Sequence, residues 1–206
     1  MEKVVFYIFI PTILYIIVII YSMDRTQLLL ELREYGRINE VPNITDVNAH
    51  FLCDLLKISG AKNMLEIGTA NGYSAICFGD ILEQQSGKLT SIEFSELSHN
   101  LAHENIARAQ LEQTTQLILG NALDEIPKLP DNSFDFIFID GMKRRSKDFL
   151  ELCLPKCQTG GIIILDDVIK FKDKMVGLDE YLEKNNLRYN ILPIDEDDGV
   201  MMMIKK

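Results

Sequence analysis

The twelve residues Asn63 to Ser74, NMLEIGTANGYS, constrain this chain more than any other stretch. Met64, Leu65 and Ile67 form a short apolar run suited to a buried strand, and Glu66 sits near its end. Gly68 and Gly72 then allow backbone angles and close approaches that a side chain forbids. The predicted unit is a strand, a glycine turn and a helix beginning near Gly72. Such a unit places helix N-terminal N–H groups and a carboxylate at the carboxyl edge of a sheet, where nucleotide-like ligands bind in open α/β folds. The spacing E-x-G-x-x-x-G departs from the G-x-G-x-x-G of dinucleotide sites because Ala70 takes the middle position. Alone, the motif is a weak signal, since a tight strand-to-helix turn can also form with no ligand.

Downstream segments repeat the pattern. Tyr73 to Glu83 reads as a helix, and Leu89 to Phe94 alternates as a strand ending at Glu93, 27 residues after Glu66. That offset is close to the one at which a second strand offers a carboxylate to ribose hydroxyls. Glu96 to Leu111 reads as a helix, Thr115 to Leu119 as a strand, and Gly120-Asn121-Ala122 as a loop at its carboxyl end. Ser133 to Asp140 is a buried strand that delivers Asp140 to the same edge. A helix to about Leu154, a turn at Gly160-Gly161 and the run IIIL carry a fifth strand to Asp166-Asp167, and Phe171 to Asn186 reads as a polar helix. Tyr189 to Ile194 and Val200 to Ile204, joined by DEDDG, lie too close for a crossover helix and must pair antiparallel. The expected fold is α/β: a Rossmann-like, doubly wound seven-stranded sheet, mostly parallel, with a C-terminal antiparallel hairpin.

Val4 to Tyr21 is an uncharged run of 18 residues. As a helix it spans about 27 Å, near the roughly 30 Å of a bilayer core. Residues 1–22 are therefore a candidate transmembrane anchor, and Arg25, Arg33 and Arg37 against Lys3 place the following domain in the cytoplasm. Met23 stands where a soluble domain would begin, so the alternative is an unused upstream extension and a cytoplasmic protein. Residues 23–206 are expected to form one catalytic-size domain. Thr45 or Asp46 can cap a helix running to about Ile58, with Phe51, Leu52, Leu55 and Leu56 on its buried face. The net charge of −10 argues against nonspecific nucleic-acid binding as the main role. Cys53, Cys77, Cys153 and Cys157 lack paired metal-site spacing and are expected as reduced, mostly buried thiols.

Glu66 to Ser74, Glu93, Asp140 with Lys143, Asp166-Asp167 and the closing hairpin, in that order, resemble a class I S-adenosylmethionine-dependent methyltransferase. More narrowly, the chain from about Ile44 onward resembles the metal-dependent O-methyltransferases related to catechol and caffeoyl-coenzyme A O-methyltransferases. The resemblance implies that Gly68, Thr69, Gly72, Tyr73 and Ser74 seat the methionine moiety, with Glu66 beside them. It implies that Glu93 holds the ribose hydroxyls, that Asn121 and Ala122 border the adenine, and that the backbone around Ile44 closes over the cofactor. Asp140, which also borders the cofactor, would hold a divalent cation with Asp166 and Asp167, in the family usually Mg2+. Lys143 would be the general base, its pKa lowered by the cation and by partial burial.

Departures from the family pattern bear on the substrate. Asp167 stands where many relatives have Asn, Met142 replaces a frequent acid, and a tyrosine common after the lysine is missing. The implied reaction is methyl transfer to a hydroxyl group, on a catechol-like small molecule or a hydroxylated tRNA uridine. Lys143, Arg144, Arg145, Lys147, Lys170, Lys172 and Lys174 follow two strand ends and tip the expectation narrowly toward an anionic acceptor. The rival expectations are a metal-independent methyltransferase and a non-catalytic, membrane-tethered cofactor-binding scaffold; attachment through residues 4–21 and a homodimer are open partners.

Overall fold

The computed structural model describes residues 25–196 and 198–206. The candidate anchor lies outside the described residues, and among those described no helix is long and apolar enough to cross a membrane. Seven strands form one sheet: β1 (Asn63–Ile67), β2 (Lys88–Glu93), β3 (Thr115–Leu119), β4 (Phe134–Ile139), β5 (Cys157–Leu165), β6 (Tyr189–Leu192) and β7 (Val200–Ile204). Their order is β3-β2-β1-β4-β5-β7-β6. The first five pair in parallel and β7 runs antiparallel to both β5 and β6, as the short connection requires. The order reverses between β1 and β4, so the loops leaving these two strands diverge and open a crevice at their carboxyl ends.

Alternation along the central strands feeds two apolar layers. Met64, Phe136, Phe138, Ile162 and Ile164 face one layer, packed with α1 (Arg25–Asn39), α2 (Asp46–Ser59) and α3 (Tyr73–Gln84). The intervening Leu65, Ile67, Ile137, Ile139, Ile163 and Leu165 face the other. Of the further helices, α4 (Glu96–Arg108) adds Ile106 to the first layer, whereas α5 (Ala122–Glu125), α6 (Ser146–Cys153) and α7 (Leu178–Lys184) cover the second. An edge-on contact of Phe78 with Phe138, ring centroids 5.5 Å apart, locks α3 onto β4.

Thr45, rather than Asp46, caps α2 by accepting from the Asn48 N–H at 3.1 Å. On that helix Leu52 and Leu56 are fully buried, and Phe51 and Leu55 only partly so. The four cysteines are free thiols, three of them buried. Three boundaries differ from expectation. The helix read from Glu96 stops at Arg108, because Gln110 takes a left-handed φ of 57° and Leu111 N–H turns back to the Ile106 carbonyl at 3.0 Å, burying Leu111. The fifth strand begins at Cys157 and absorbs Gly160-Gly161, with an irregularity in its pairing to β4 between Phe134 and Phe136. The single helix expected over Phe171 to Asn186 is a 3-10 turn at Lys172–Lys174 followed by α7. Gly177, at φ 77°, breaks it, and Met175 and Leu178 on either side are both buried in the second layer.

Candidate active site

A cavity of about 1050 Å³ opens at the carboxyl ends of the parallel strands. Its floor begins at the glycine turn. Gly68 has φ 97°, and a Cβ there would lie 2.6 Å from the Asp140 carbonyl oxygen, so only glycine lets the β1 and β4 ends approach this closely. Glu93, at the end of β2 and 6% exposed, ties the turn down. Its Oε2 accepts from the Thr69 and Ala70 N–H groups at 3.1 and 3.0 Å, and its Oε1 from Ser95 N–H at 2.9 Å.

Glu66 is fully buried and accepts from the Ser74 and Ser91 hydroxyls, each at 2.6 Å. Burial pushes its carboxyl up to about 7 against the pull of these two donors. Ser74 lines the cavity, whereas Glu66, Gly72 and Tyr73 stand behind the wall. Gly72 packs against Ala102 on α4, and the Tyr73 hydroxyl donates to Asp46 at 2.9 Å. The remaining expected residues, Ile44, Gly68, Thr69, Glu93, Asn121, Ala122, Asp140, Lys143, Asp166 and Asp167, all line this one cavity.

The acids converge as the strand ends predict. Asp140 follows β4, Asp166 and Asp167 follow β5, and one oxygen from each lies within 4.8 Å of the others. Lys143 Nζ reaches Asp140 at 2.5 Å and Asp167 at 2.8 Å. Asp166 accepts from the buried Asn48 amide at 2.9 Å. Burial raises the pKa of Asp140 and of Asp167 despite Lys143, and burial beside Asp140 raises that of Asp166 well above the usual carboxylate range. Burial alone would lower Lys143, but Asp140 and Asp167 outweigh it and raise its pKa, so against these bare carboxylates the expected lowering does not occur. Three acids opposed by one ammonium make an all-oxygen, under-compensated donor set, which fits a hard divalent cation and not a soft one.

Two residues missed by the sequence reading support this cluster. Asn48 is a polar residue on the buried face of α2, and its position on that face was the available signal. Asp198 lies in the hairpin turn, where its Oδ1 accepts from Ile169, Lys170 and Gly199 N–H groups at 3.1, 3.2 and 2.7 Å. Although burial opposes it, those N–H groups hold the Asp198 carboxyl below its usual range. An acid directly before glycine in a tight turn was its signal.

The basic segments are largely compensated. Arg145 pairs with Asp148, Lys147 with Glu151, and Lys172 with Asp179, while Lys174 sits 4.4 Å over the Phe171 ring. Among the described residues that line the cavity, seven acids (Glu40, Glu93, Asp140, Asp166, Asp167, Asp195, Asp198) stand against three bases (Lys143, Arg145, Lys170).

The family profile described as O-methyltransferase matches residues 20–203. The chain belongs to the O-methyltransferase family. It is 31% identical over 120 residues to a catechol O-methyltransferase of Mycobacterium tuberculosis, covering 58% of this chain and 54% of that protein. It is 33% identical over 153 residues to the tapetum-specific methyltransferase 1 of Arabidopsis thaliana, covering 70% and 65%. A catechol O-methyltransferase of Niastella koreensis is 35% identical over 123 residues, covering 58% and 55%. The chain thus spans between about half and two-thirds of the length of these curated relatives. Among solved structures, the Bacillus cereus O-methyltransferase in complex with SAH superposes with a TM-score of 0.75 at 27% identity, covering 87% of this chain and 91% of that one. The O-methyltransferase TomG of Streptomyces achromogenes, at 21% identity and a TM-score of 0.75 over 87% and 90%, shares the fold.

Proposed function

We propose that this O-methyltransferase family member moves a methyl group from S-adenosylmethionine to a hydroxyl of a small, catechol-like acceptor, with a divalent cation, Mg2+ by preference, held by Asp140, Asp166 and Asp167. The observation that carries this reading is that the acid cluster and the Glu93-bound glycine turn open into one cavity. The Bacillus cereus relative with its bound SAH and the catechol-specific names of two curated relatives support it. When bound, the methyl donor supplies an electrophilic methyl sulfonium and the cation supplies Lewis acidity that lowers the pKa of a hydroxyl beside it.

The chain's own residues do the rest. Glu93 Oε2 already accepts two N–H groups and Oε1 one, so the lone pair left on Oε1 can take a ribose hydroxyl without breaking the turn. Ser74 commits its proton to Glu66 and therefore offers only lone pairs to the cavity, which suits an ammonium group. Neutralising the carboxylates around Lys143 removes what holds the proton on Nζ and leaves burial, which pushes its pKa down, so the amine becomes able to take the acceptor's proton. The surplus of acids over bases along the cavity favours cationic groups, and the divalent cation and the methyl sulfonium together offset most of it. Because Arg145, Lys147 and Lys172 are already paired with acids, the lysine-rich segments lend little support to an anionic acceptor, and the names of the two curated relatives favour a small neutral one.

Titration calorimetry with S-adenosylmethionine tests the cofactor half of this reading. Glu93→Ala is expected to weaken binding by roughly 1–3 kcal/mol, because it removes a charge-assisted hydrogen bond to the ribose and also frees the glycine turn that Glu93 holds. Absence of binding to the unaltered protein would overturn the proposal.

A further inference from the structure

The segment joining α1 to α2, residues 40–45, has no regular secondary structure, yet every one of its residues lines the cavity. Such a strap is held in place only by what it touches. Arg33, on α1, makes three of the relevant contacts at once. One guanidinium nitrogen donates to the Ile44 carbonyl, the other reaches Asp46 at 2.5 Å, and the planar group lies 4.1 Å over the Tyr73 ring. The Tyr73 hydroxyl closes the loop by donating to the same Asp46 oxygen at 2.9 Å.

One residue earlier, the Leu32 carbonyl accepts from two amides, Asn43 in the strap and Asn71 in the glycine turn, both at 3.2 Å. A single turn of α1 therefore grips both the strap and the turn that opens α3. The Asp46 side chain is 70% exposed, so its ion pair with Arg33 is screened. What remains specific to arginine is the planar fork that satisfies a backbone carbonyl while stacking on an aromatic face, a geometry that lysine does not reproduce.

We infer that Arg33 is a positioning residue for the methyl-donor cavity: it clamps the strap at Ile44 and the Tyr73 end of the glycine turn onto α1, holding the cavity wall in its binding-competent arrangement. The inference rests on the cofactor reading above. Its consequence is quantitative, because apparent affinity falls in proportion to the fraction of molecules whose wall is in place. A variant that leaves the strap ordered only a tenth to a hundredth of the time binds about 10- to 100-fold more weakly.

The test uses the full chain, S-adenosylhomocysteine as the probe, and EDTA throughout the binding measurement so that the acid cluster does not contribute. Arg33→Ala and Arg33→Lys are both expected to raise the calorimetric Kd about 10- to 100-fold. Amide hydrogen exchange of residues 41 and 43–45 should accelerate in the same variants, and kcat at saturating methyl donor should change by less than about threefold. Arg33→Lys preserves charge and helix propensity, so it carries the test where the alanine variant folds poorly. Wild-type-like Kd in Arg33→Lys, even with a lowered Tm, would overturn the inference and leave Arg33 a purely structural residue. A fall in kcat with unchanged Kd would overturn it too. Failure of the unaltered protein to bind the probe would instead overturn the cofactor reading itself.

Discussion

Glu66 illustrates how a residue can shape the cavity without reaching it. Its carboxyl is fully buried, holds Ser74 and Ser91, and has a pKa of about 7 where an unfolded glutamate titrates near 4.5. The folded state therefore binds a proton more tightly than the unfolded one, and stability falls as pH rises between about 4.5 and 7. In the free protein that contribution amounts to about 3 kcal/mol, present at pH 4 and lost by pH 8. Glu66→Gln cannot ionise, so its stability relative to wild type should improve steadily from pH 5 to pH 8 in urea titrations. A difference independent of pH would contradict the assignment. Strand-end acids such as Glu93, Asp140 and Asp166 were legible in the sequence because a strand fixes where its last residue points. Arg33, Asn48 and Asp198 were not, because each acts through a partner at least eleven positions away that only folding brings near.

At the scale of elements, alternating and apolar runs located the strands, most plainly the central ones, β1, β4 and β5, because strands buried on both faces leave few other ways to satisfy such sequences. The helix expected after Asp167 failed for a local reason. Its polar composition carries little periodicity, and Gly177 permits the left-handed step that divides it. The N-terminus of α2 was legible, but not its second role: the Thr45 hydroxyl, besides capping the helix, donates to Asp195 in the β6–β7 turn. Thr45→Ala should therefore cost about 1 kcal/mol for the cap. For a domain of this size that corresponds to a fall in Tm of about 2–4 °C. Thr45→Ser should restore most of it in a thermal melt, and a Tm unchanged by alanine would show that neither bond matters.

For the whole molecule, the strand order brings the ends of β1, β2, β4 and β5 around one crevice, so the glycine turn and the acid cluster share a cavity although up to about a hundred residues separate them. Charge over the entire chain, −10, pointed only away from nucleic acid, whereas charge along that cavity points toward cationic ligands. The central claim is that the three acids activate an acceptor hydroxyl through a divalent cation, and methyl transfer to catechol in the presence and absence of chelator tests it most directly. Product formation should stop in EDTA and return with added Mg2+, and Asp166→Ala, which removes an anionic ligand, should abolish turnover in both conditions. An undiminished rate in EDTA, or full activity of Asp166→Ala, would contradict it.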